Sequence, residues 1–117
     1  MPVTTKEFRQ IALSLPETEE RTHMDHPDFR VAGKIFATLG YPDKHSGMVK
    51  LTPEQQQEFL QHEPKSFSPC SGKWGLKGAT NVQLKSIKKT TLRRALEAAW
   101  RNTAPTELLR SKLRLTP

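Results

Sequence analysis

The chain has 117 residues, 34% of them apolar and 26% charged, with one cysteine and a net charge of +7. That length suits a single domain over residues 1–117 with one core, and the lone Cys70 excludes an internal disulfide. No apolar run approaches the roughly 20 residues of a membrane helix and the first residues lack the regions of a signal peptide, so no membrane partner and a cytoplasmic setting are expected.

In chain order, Thr4 followed by Glu7 reads as a capping box. Phe8, Ile11, Ala12 and Leu15 follow at the spacing of one helical face, and Pro16 ends the helix. Glu17 to Arg21 reads as a solvated acidic connector. His26 to Leu39 reads as a β-hairpin: Phe29-Arg30-Val31 alternates, Ala32-Gly33 offers a two-residue turn, and Lys34 to Leu39 resumes an apolar-rich strand. Met48 to Leu51 reads as a third strand. Thr52-Pro53-Glu54-Gln55 is a helix start with Thr52 at the N-cap, and Phe59 and Leu60 form its narrow apolar stripe. Most of that helix is expected to face water.

Phe67 to Gly72 reads as irregular. Lys73 to Lys77 alternates and is expected to be a strand with Trp74 and Leu76 on its apolar side. Thr80, Val82 and Leu84 continue the pattern. Thr90 or Thr91 is expected to cap the strongest helix, whose apolar face is Leu92, Ala95, Leu96, Ala99 and Trp100. Pro105 is expected at the first position of a short final helix. The order α-β-β-β-α-β-β-α, with that extra helix, predicts a two-layer α+β fold. Its antiparallel sheet would be covered on one face by helices.

Several of these pieces occur together in a known family. They are Phe8 to Pro16, His26 to Val31 with Lys34 to Ala37, Val49 to Gln55, Trp74-Gly75, and Ala98 to Arg101 with Ala104-Pro105. By their order and spacing the chain resembles the MmcQ/YjbR family over nearly its whole length. The resemblance implies a small α+β domain similar to type III secretion chaperones and to CyaY-like proteins. It also implies the "double wing" label and a DNA-binding role. It brings no catalytic motif, no cofactor and no residue-level DNA contacts.

The charge is unevenly placed. Residues 1–64 hold seven Lys/Arg against ten Asp/Glu, a net of −3, whereas residues 65–117 hold twelve against two, a net of +10. A basic half on one small domain fits an anionic partner, either DNA or an acidic protein. The candidate nucleic-acid-binding residues are Lys73, Lys77, Lys85, Lys88, Lys89, Arg93, Arg94 and Arg101. If the sheet's uncovered face and the start of the strongest helix lie together, they make one phosphate-binding surface. Trp74 and Trp100 are both read as core.

No catalytic or metal site emerges. His23, Asp25 and His26 are metal-ligand types without a further ligand at diagnostic spacing, and the plainer reading is a polar loop before the hairpin. Cys70 carries no nucleophile signature. Gly72, Gly75 and Gly78 do not open a phosphate-binding helix. A non-catalytic DNA-binding protein is therefore expected, with a protein- or ligand-binding module as the alternative.

Overall fold

The hairpin turn forms where the sequence places it. The computed structural model describes residues 3–23 and 25–115. In it, strands β2 (His26–Val31) and β3 (Lys34–Leu39) are joined by Ala32 and Gly33, with φ of 52° and 78°. Positive φ at both central residues is the type I′ geometry, whose twist matches that of the flanking strands. The pairing shifts beyond Arg30, which faces Ile35, while Phe29 faces Ala37. The extra residue, Phe36, makes a bulge, and so Phe36 and Ala37 are both buried although adjacent in a strand.

Four further strands complete an antiparallel sheet. They are β1 (Thr18–His23), β4 (Ser46–Lys50), β5 (Phe67–Pro69) and β6 (Ala79–Gln83), arranged in the order β1-β2-β3-β4-β6-β5. The helices are α1 (Thr5–Leu13), α2 (Pro53–His62), α3 (Gly72–Leu76), α4 (Lys89–Thr103) and α5 (Thr106–Leu115). Both expected capping boxes are present, Thr4 with Glu7 and Thr52 with Gln55.

The core lies between the sheet and helices α1 and α4. Phe8 of α1 meets Phe29 of β2 with ring centroids 5.8 Å apart. Helix α4 crosses β3 and β4 with Leu92, Ala95, Leu96, Ala99 and Trp100 buried. Trp100 is fully buried and its indole N–H donates to the Pro16 carbonyl at 2.9 Å, tying α4 to the end of α1. Phe36, Leu96 and Trp100 are thus core residues, as their spacing predicts.

The structure corrects the sequence reading at several places. Glu17 to Arg21 is not a loop, because Thr18–His23 forms an edge strand paired along its length with β2. Ladder hydrogen bonds do not depend on side-chain polarity, and charged residues suit a sheet edge that must not recruit another strand. Lys73 to Lys77 is not a strand: Gly72–Leu76 is one short helix, and Trp74 and Leu76 are 64% and 80% exposed. Five alternating residues could not separate the two periods, and Trp74 is not core. Phe67–Pro69, read as irregular, pairs with β6. Helix α4 starts at Lys89 with Lys88 at its N-cap, so neither Thr90 nor Thr91 caps it. Pro105 sits just outside α5 rather than at its first position, accepting from the Leu108 and Leu109 amides.

A Cβ at Gly33 would have no neighbour within 4 Å, so the demand there is purely conformational. Gly33→Val is expected to lower stability by about 1–3 kcal/mol. Gly33→Asn is expected to keep most of it, because Asn tolerates the left-handed region. Urea melts of the three proteins test this, and coincident curves for valine and glycine would contradict the turn. Trp100→Ala is expected to cost about 3–5 kcal/mol in the same assay.

Candidate functional site

Helices α1 and α4 cover one face of the sheet, and a cross-strand row marks the other. Met48 of β4 lies opposite Thr38 of β3 and Asn81 of β6. Asn81 also faces Ser68 of β5, and Thr38 faces Asp28 of β2. Their neighbours Ala37, Leu39, Val49 and Val82 point into the core. By the two-residue period the row therefore lies on the face away from α1 and α4.

The two ends of this face differ. Toward β1 it is charged. The Arg30 guanidinium donates twice to the buried Asp28 carboxylate, at 2.8 and 3.1 Å. Those bonds raise the Arg30 pKa above its ordinary value. Toward β5 it is apolar. Thr38, Met48 and Asn81 form the floor of a groove of about 540 Å³, with Tyr41, Cys70 and Trp74 among its walls. Tyr41 and Trp74 are each 64% exposed. The Lys50 ammonium stands 5.6 Å from the Trp74 ring centroid, within cation–π range.

Trp74 is set in place from beneath. Helix α3 follows a close approach in which a Cβ on Gly75 would lie 1.8 Å from the Cys70 carbonyl oxygen, so only glycine fits. The Gln56 side chain of α2 is buried and its amide nitrogen donates to the Gly75 carbonyl, the Ala79 carbonyl and the Thr80 hydroxyl at 3.0–3.1 Å. One amide thus joins α2, α3 and β6. The polar character of α2 points Gln56 toward water, and the structure corrects this. The opposing signal is its position three and four residues before Phe59 and Leu60, which puts it on their face of the helix.

The predicted cations do not form one cluster. Lys77, at the C-cap of α3, lines a hollow with Lys50, Trp74 and Asn102, beside the C-terminal end of α4, and Lys73 lies within α3. Arg101 lies in the last turn of α4. Lys85, Lys88 and Lys89 lie at the other end of that helix, roughly 20 Å away at 1.5 Å per residue. Arg93 and Arg94 are exposed between them. The two ends also differ in their anions. Lys89 pairs with Glu7 at 3.3 Å, and the Glu63 carboxylate accepts the Lys88 backbone N–H at 3.3 Å. Glu7, hydrogen-bonded to the Thr4 backbone and to Lys89, has its pKa lowered. Protein carboxylates therefore already sit where a phosphate would meet the start of α4. Among the described residues, Lys89 alone of the predicted cations is paired with a carboxylate.

The other candidates stand apart. Cys70 is half-buried and its thiol donates to the Asn81 side chain at 3.2 Å. Burial raises its pKa, which keeps it a weakly nucleophilic thiol. His26 stacks edge-on against Tyr41 with centroids 5.9 Å apart. The side chain of His23 lies outside the described residues. Among those described, no three His, Cys, Asp or Glu residues group to hold a metal ion, and no helix is long and apolar enough to cross a membrane.

A family model described as YjbR matches residues 13–102. A Deinococcus radiodurans crystal structure with a domain described as DUF419 has a TM-score of 0.70 at 20% identity, covering 84% of this chain and 76% of that one. A Pseudomonas syringae crystal structure has a TM-score of 0.66 at 14% identity, covering 86% and 99%. These likenesses are of fold. No curated protein matches the chain.

Gln56→Leu keeps the volume and removes the buried amide. It is expected to cost about 1–3 kcal/mol and to change the acrylamide quenching of Trp74, since Trp100 is buried. Unchanged stability and unchanged quenching would show that the amide does not set α3.

Proposed function

The chain belongs to the YjbR family, and on that premise we propose that it is a non-catalytic DNA-binding protein whose C-terminal half supplies the cations. The observation that carries this reading is electrostatic. Residues 65–117 bear a net +10. Lys85, Lys88, Arg93, Arg94 and Arg101 are exposed and, among the described residues, their charged side-chain groups form no ion pair with a carboxylate. Cations held by no internal anion lose little when they meet phosphates, and they gain the entropy of released counterions.

Arg93 and Arg101 lie eight residues apart on α4, with Arg94 beside Arg93, so they share the helix surface opposite Leu92 and Leu96. Contacts of this kind hold a duplex by its backbone without reading bases. The reading also assigns the protein to the cytoplasm, where a lone thiol stays reduced and DNA is at hand.

Fluorescence anisotropy with a labelled duplex across a salt series tests it. Affinity should fall as salt rises. Gln at Lys88, Arg93, Arg94 and Arg101 together should weaken binding equally for unrelated sequences, and should flatten the log–log salt slope by about 0.9 for each phosphate that is no longer neutralised. Equal affinity and slope in wild type and variant, with the fold confirmed by circular dichroism, would remove this surface as the DNA site. A stoichiometric protein recovered from cell extract whether or not nuclease is present would favour a protein-binding module instead.

A further inference from the structure

The groove on the open face of the sheet lies away from the outer surface of α4, and its chemistry is of another kind. Phe8, Phe29, Phe36 and Trp100 are all fully covered. Tyr41 and Trp74, both in the groove wall, are the exposed aromatic side chains among the described residues, at 64% each. Trp74 is not loose. Gly75, directly after it, is packed against the Cys70 carbonyl and held by Gln56.

Charge complements the aromatic surface. Lys50 stands over the Trp74 ring, Lys73 precedes Trp74, and Lys77 lies with Lys50 in the adjoining hollow. Among the described residues, no acidic side chain lines the groove or that hollow. The groove floor supplies polar edges from Thr38 and Asn81. A ligand matching all three features has flat faces, hydrogen-bonding edges and a polyanionic backbone. Duplex DNA hides its base faces, whereas a single strand offers them. An acidic peptide offers charge without rings at regular spacing.

We infer that this groove takes unpaired bases of single-stranded DNA, with a base stacked on Trp74, Tyr41 flanking it, and Lys50, Lys73 and Lys77 meeting the phosphates. The inference rests on the DNA-binding reading and adds a second mode to it. The α4 face holds backbone, and the sheet face holds bases.

The test compares a labelled dT15 oligonucleotide with a duplex of the same length. Trp74→Ala should weaken dT15 binding roughly five- to a hundredfold and leave duplex affinity unchanged, whereas Trp74→Phe should keep most of the single-strand affinity. In wild type, unlabelled dT15 should quench the tryptophan emission, and Trp74→Phe should abolish that quenching because Trp100 is buried. Equal dT15 affinity in wild type and Trp74→Ala, with duplex binding intact, would overturn the groove assignment alone. Absence of binding to either nucleic acid would overturn both this inference and the reading beneath it.

Discussion

A six-stranded antiparallel sheet with its main helices on one side has one face that must be apolar and one that need not be. Here the first face holds Phe29, Ala37, Leu39, Val49 and Val82 against α1 and α4. Because side chains alternate strictly, fixing that face also fixes the other. Asp28, Thr38, Met48, Asn81 and Ser68 are delivered in register to the far side. The I′ turn at Ala32-Gly33 and the bulge at Phe36 hold this register for β2 and β3. A slip by one residue would turn Asp28 away from Arg30 into the core beside Phe8, and turn Phe29 out of it. The open face is thus a consequence of packing the core.

What completes that face is short-range and polar. Helix α3 is too brief to be stable by itself. It exists because Gly75 fits against the Cys70 carbonyl and because the Gln56 amide bonds the Gly75 and Ala79 carbonyls from below. The same contacts leave Trp74 and Leu76 with nowhere to go but outward. Electrostatics divides the molecule along α4. At its start, Glu7 and Glu63 occupy the positive helix end beside Lys88 and Lys89. At its far end, Lys50 and Lys77 border Trp74, and no carboxylate among the described residues lines the hollow.

Much of the fold is legible in the sequence because its signals are local. Thr4 with Glu7 and Thr52 with Gln55 mark helix starts that need no tertiary help. The spacing of Leu92, Ala95, Leu96, Ala99 and Trp100 marks one buried face. Ala32-Gly33 marks a turn by its φ requirement. The failures have the opposite character. Thr18–His23 is a strand only because β2 is beside it, and nothing in Thr-Glu-Glu-Arg-Thr-His favours one. Lys73 to Lys77 alternates by accident over too few residues, and its helix depends on a glycine packed against the Cys70 carbonyl. That single error moves Trp74 from surface to core and hides the groove. The sequence marks the cations as exposed, but adjacency in the chain does not show that α4 separates Lys73 and Lys77 from Lys85 and Lys88.

DNA is proposed to meet this protein on two surfaces, the outer side of α4 and the open face of the sheet. The most direct measurement is a pair of ¹H–¹⁵N correlation titrations of the full chain, one with a short duplex and one with a single strand. Both should move the amides of α4 near Arg93, Arg94 and Arg101. Only the single strand should move the Trp74 indole N–H together with the amides of Met48 and Asn81, while the Trp100 indole stays fixed. Spectra unchanged by either nucleic acid, or shifts confined to α1 and the acidic strand β1, would contradict the proposal.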